Sequence, residues 1–229
     1  ATHVLTVVRG IGGTTAASHS NPVDVYHANA TYIKGTTTVT QGKVEGLALS
    51  ALTLDGTGDY LTLASSVELE DYDWSISCWF RADVFSDNTL IGHSNAEHLI
   101  QLLNSTTVRS VFSNNGNEDI TVSGLSTDKW HHLVYTRDDS TGVSKIYIDG
   151  VYNATGTFDS GANFVINRIG MEGTDEFDGE MRDIRIYDAM ILSDDQVSSL
   201  YSGSYNVTPT HWWKCDEGTG ATANDTGTG

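Results

Sequence analysis

Between residues 44 and 203 the chain is broken, every few residues, into short stretches of alternating apolar and polar side chains, each bounded by Asn, Asp, Ser or Gly. That pattern excludes long helices and points to strands with one face turned to a core. Trp74-Ser-Ile-Ser-Cys-Trp-Phe80 is the clearest, with Trp74, Ile76, Cys78 and Phe80 on one side. Leu99–Leu103, Val108–Phe112, Ile120–Val122, Trp130–Arg137, Ser144–Ile148, Phe164–Ile169 and Met181–Tyr187 read the same way. Asp138-Asp-Ser-Thr-Gly142 and Asp149-Gly150 supply tight turns. Many short strands at this spacing predict an antiparallel β-sandwich, a jelly roll. One helix is expected. Ser193-Asp-Asp-Gln196 has the capping-box pattern, with two acids in the first turn and Val197, Leu200 and Tyr201 as its apolar side, and it should plug one end of the sandwich.

Charge narrows the function. The 229 residues carry 30 acidic and 12 basic side chains, a net charge of −18. Binding to duplex nucleic acid or to an anionic membrane would need the opposite sign. No apolar run approaches the roughly 18 residues of a membrane span. The start, Ala1-Thr-His-Val-Leu-Thr-Val-Val-Arg9, lacks the charged-then-apolar pattern of a secretory signal. The charge is uneven: residues 1–43 have Arg9, Lys34 and Lys43 against Asp24, and the rest carries the whole negative excess. Both prolines, Pro22 and Pro209, lie outside 44–201. Three parts follow: an arm (1–43), a core (44–203) and a C-terminal segment (204–229). The two cysteines, Cys78 and Cys215, are either two buried thiols or one long-range disulfide.

Five segments in order resemble the laminin-G-like, concanavalin-A-like lectin/glucanase jelly roll: Leu54-Asp-Gly-Thr-Gly-Asp-Tyr-Leu61, Trp74–Phe80, Lys129-Trp-His-His-Leu-Val-Tyr135, Ile146-Tyr-Ile-Asp-Gly150 and Gly179–Tyr187 with Leu192–Val197. The resemblance implies an all-β antiparallel sandwich with one short helix, preceded here by a β arm. Trp212-Trp-Lys-Cys-Asp-Glu-Gly-Thr-Gly220 looks like the strand that opens such a domain, and at this position it reads as a closing strand or the start of a truncated repeat. In the arm, Thr6-Val-Val-Arg-Gly-Ile-Gly-Gly-Thr-Thr-Ala-Ala-Ser-His19 resembles a segment found in bacteriophage tail, fibre and other virion proteins. Together these imply a non-catalytic virion surface protein: a fibre, adhesin or head decoration. Other virion proteins would bind it through 1–43, the jelly roll would face outwards, host glycans would be its ligands, and copies would form a homo-oligomer. A structural module without ligand and a secreted or cell-surface bacterial lectin are the alternatives.

Candidate sites are few. Glu176-Phe-Asp-Gly-Glu180 has the Glu-x-Asp-x-Glu spacing of the jelly-roll glucanases, but Asp178-Gly179 reads as a turn and no aromatic cluster surrounds it, so hydrolysis is a weak alternative. No nucleophile elbow, zinc spacing or phosphate loop occurs. Calcium is the expected cofactor if there is one. Glu172, Asp175 and Asp178 fall in the segment where pentraxin relatives carry a calcium loop, with Asn95 and Glu97 as a looser match to a second ligand pair. For sugar stacking the candidates are Trp79 and Tyr135, expected to point away from the apolar face, and Trp212.

Overall fold

A computed structural model describes residues 51–69, 72–95, 98–112, 117–157, 163–204, 207–217 and 221–229, with the backbones of four short strands nearer the N-terminus. The chain forms two compact units, Ala1–Leu49 and Ser50–Gly229. In the first, β1 (Val25–Tyr26) pairs with β2 (Tyr32–Ile33) and β3 (Thr38–Thr40) with β4 (Lys43–Glu45), both antiparallel. The strand expected over Val4–Val8, and Glu97, lie outside the described residues.

The second unit is an antiparallel sandwich. Its six-stranded sheet runs β11 (Asn117–Thr121), β10 (Thr107–Val111), β9 (Leu99–Asn104), β8 (Asn88–Gly92), β15 (Phe164–Ile169), β6 (Leu61–Leu69). The other sheet runs β14 (Val151–Thr157), β13 (Val143–Ile148), β12 (His131–Asp138), β7 (Trp74–Ala82), β18 (Asp178–Asp188), β19 (His211–Trp213). β5 (Leu52–Asp55) also pairs with β18, along its first residues, while β19 pairs further on, from Ile184 to Ile186. The C-terminal segment therefore adds a strand to the same sheet.

Alternation decides which side chains meet. Ile76, Cys78 and Phe80 face the core beside Leu133, Tyr135, Ile146, Ile184 and Ile186, opposite Ile100, Leu102, Val108 and Ile166 of the other sheet. Trp74 stacks between the sheets, 5.6 Å from Tyr135 and 5.1 Å from Phe164, with Phe112 5.2 Å from Phe164. Burying each such side chain contributes about 1.5–3 kcal/mol. Cys78 and Cys215 are both free and buried.

Helix α1 (Asp194–Tyr201) has the expected cap. Ser193 Oγ accepts from the Gln196 amide, and the Gln196 side chain accepts from the Ser193 amide. Its position differs from the end plug expected. Val197 and Leu200 pack on Val134, Tyr147 and Tyr187, which point outward from the seven-stranded sheet. The Asp149-Gly150 turn permits this approach: Gly150 has φ +80°, and a Cβ there would lie 2.7 Å from Tyr201 Cβ.

Candidate functional site

The sequence-derived ligand residues separate once placed. Tyr135 is a correction. It faces the core, fully buried, because the core-facing residues of β12 are Leu133, Tyr135 and Arg137. Its hydroxyl donates to Glu118 Oε2 at 2.9 Å and lies 2.7 Å from Ser144 Oγ and 3.0 Å from Ser110 Oγ. It ties the two sheets together and cannot stack on a sugar. Trp79 does point outward, but its ring is already engaged. Tyr201 stacks on it at 5.5 Å, and the Arg182 guanidinium lies 4.8 Å from its centroid. Trp212 is half-buried, with Arg185 and Lys214 4.6 and 4.5 Å from its centroid and its indole N–H donating to Asp183 at 3.0 Å. Asp183, at φ +54° on a bulge of β18, also receives Arg185 at 3.0 Å. This outer face is a braced platform of rings and arginines.

The acidic segment 171–178 folds as a hairpin, β16 (Met171–Glu172) against β17 (Asp175–Glu176), lying on β8. A Cβ on Gly92 would lie 2.4 Å from Met171 O, so only glycine lets the hairpin sit this close. Two of its carboxylates hold protein donors. Asp175 accepts from Gln101 Nε2 at 3.0 Å. Glu176 accepts from the Gly58 amide. Asp178 pairs across the sheet with Asp55 and lies under Gly56, where an added Cβ would come within 3.1 Å of its own Cβ. Glu172 is buried, and burial followed by the charge of Asp175 pushes its carboxyl above the usual range. Asn95 bonds His93 instead. Calcium takes six to eight oxygens, and among the described residues no group of three or more acidic, His or Cys side chains could hold an ion. The expected cage is not assembled by them.

In the glucanase-like segment, Glu176 holds the Gly58 amide. Asp178-Gly179 belongs to β18 rather than to a turn, a second correction, and Glu180 is taken by Arg81 at 3.0 Å.

What the hairpin does hold is a rim of the sandwich that sequence reasoning missed. Asp55 Oδ1 accepts from the Thr57 amide at 2.9 Å, and with Glu176 on Gly58 this fixes the loop that presents Tyr60. Tyr60 is 37% exposed. The Arg168 guanidinium stands 4.7 Å from its centroid. Arg168 pairs with Thr62 of β6 on one side and Gly92 of β8 on the other. The neighbouring Asn167 binds the loop that follows Gly92: its Oδ1 accepts from the Ser94 amide at 3.0 Å and its Nδ2 donates to Ser94 Oγ at 3.2 Å. An exposed ring thus stands beside a fixed cation, next to a loop carrying His93 and Asn95. Such an arrangement can stack a sugar ring and hydrogen-bond its hydroxyls.

The fold is that of a concanavalin-A-like jelly roll. Residues 55–198 match the laminin-G type of the concanavalin A-like lectin/glucanases superfamily, and the chain belongs to that family. No curated protein sequence matches it. Among solved structures it is similar to a candidate carbohydrate-binding protein from Bacteroides ovatus, with 17% identity and a TM-score of 0.53 over 77% of this chain and 52% of that one. The chain thus spans about half the length of that protein. It is also similar to domain 4 of an extracellular arabinanase from Geobacillus stearothermophilus in complex with arabinotriose, at 26% identity, TM-score 0.49, over 73% and 82% of the two chains. A heptameric pentraxin from Limulus polyphemus matches at 12% identity and TM-score 0.48, over 66% and 80%. Among the described residues no helix is long and apolar enough to cross a membrane.

Proposed function

We propose that the chain is a non-catalytic glycan-binding protein whose jelly roll holds a sugar at the Tyr60–Arg168 rim. The observation that carries this reading is Tyr60, an exposed ring on a loop anchored by Glu176, with a guanidinium set against it. Family membership supports it. Display on a phage virion through residues 1–43 completes the reading, supported by the Thr6–His19 segment and by the arm's freedom from the core's negative charge. Copies on one particle would gain avidity. The reading itself rests on a ring and a guanidinium and calls on no calcium.

Two experiments test this. A glycan array probed with the full chain should give hits that persist in EDTA and are lost in Tyr60→Ala at unchanged melting temperature. An empty array would favour a structural module without ligand. Deleting residues 1–43 should abolish incorporation into virions while glycan binding remains. Normal incorporation of the truncated chain would overturn the role of the arm.

A further inference from the structure

Arg168 stands apart from the other described arginines. Arg81, Arg109, Arg182 and Arg185 each have a carboxylate within ion-pair distance. Arg137 is buried and donates to Gly142 O and Ser144 Oγ. Arg168 faces neutral groups: the Tyr60 ring, and Met171 Sδ at 3.7 Å from Nη1. Glu172 feels its charge, yet the two form no ion pair. In a chain with 30 acids to 12 bases, a half-exposed arginine without a carboxylate partner among the described residues is the exception. Its planar fork offers five N–H donors and matches a carboxylate bidentately.

We infer that the rim takes an acidic sugar, Arg168 gripping the carboxylate of the ligand while the exposed part of the Tyr60 ring stacks on the sugar. The inference rests on the glycan-binding reading and gives it a substrate class. The net charge of −18 does not oppose it at close range. At physiological salt, charges beyond about 8 Å are screened, whereas a guanidinium in contact with a carboxylate is not. Uronic and sialic acids share the required group.

Calorimetry on the full chain separates the sources and tests the charge. The probes are trigalacturonic acid against its methyl ester, and 3′-sialyllactose against lactose. At least one acid should bind about tenfold or more tightly than its neutral counterpart, as expected for charge-assisted hydrogen bonds. Arg168→Gln should abolish that preference at unchanged melting temperature. Arg168→Lys, which keeps the charge and loses the fork, should restore only part of it. Equal binding of acid and neutral forms, or a preference that survives Arg168→Gln, overturns the acidic-ligand inference and leaves the glycan reading standing. No binding of these four probes, together with an empty glycan array, overturns both.

Discussion

His132 Nε2 lies 2.8 Å from Ser77 Oγ, beneath Trp79 and Tyr201, and the residue is fully buried. Burial, then the charges of Arg185 and Arg182 against the opposing pull of Asp149, holds its pKa down at about 3 instead of the usual 6.5 or so. The folded chain therefore refuses a proton that the unfolded chain accepts. Its contribution to stability is whole above pH about 6.5 and is lost as pH falls towards 3. Urea melts between pH 4 and 8 should show stability falling with acid, and His132→Gln should flatten that slope; an equal slope in both would contradict this. The cysteines make a second check. Burial pushes both thiols up to about 12, aided at Cys215 by the charges of Glu217, Asp183 and Asp216. Neither should react with a thiol reagent at pH 8 in the folded chain, and both should react in denaturant. Prompt labelling of native protein would show either site to be open.

At the scale of elements, the β16–β17 hairpin links the fold to the rim. It rests on Gly92 and sends Glu176 to the Tyr60 loop. Gly92→Ala should push it off β8, at a cost of about 1–3 kcal/mol, and weaken glycan binding more than it changes the circular dichroism spectrum. Unchanged binding would detach the hairpin from the site. Helix α1 is tied by its capping box, by Tyr147 donating to Asp194 at 2.7 Å and by the Tyr201–Trp79 stack. Ser193→Ala should cost about 1 kcal/mol in chemical denaturation. These elements also mark what sequence could tell. β7, β9, β12, β13, β15 and α1 were readable because periodicity and caps are local signals. β8 is buried at every position, so it shows no alternation, and β14, Val151-Tyr-Asn-Ala-Thr-Gly-Thr157, is a polar edge strand without alternation. Tyr135 was misassigned because β12 is buried on both faces once α1 covers the outer one, so its residues carry no clear inside and outside.

Across the whole molecule, the rim is a product of topology. Tyr60, Ser94 and Arg168 lie far apart in sequence, and β15 brings them together by pairing with β6 and β8 at once. No local pattern announces that meeting; the one trace is the glycine-rich turn Asp55-Gly-Thr-Gly-Asp-Tyr60, read only as a family mark. The outward aromatics that were legible, Trp79 and Trp212, are spent on bracing the opposite sheet. The most direct measurement is amide hydrogen exchange on the full chain with and without an array-positive glycan. The account predicts added protection at 56–62, 93–95 and 167–172. Protection centred instead on Trp79 and Trp212 would contradict it.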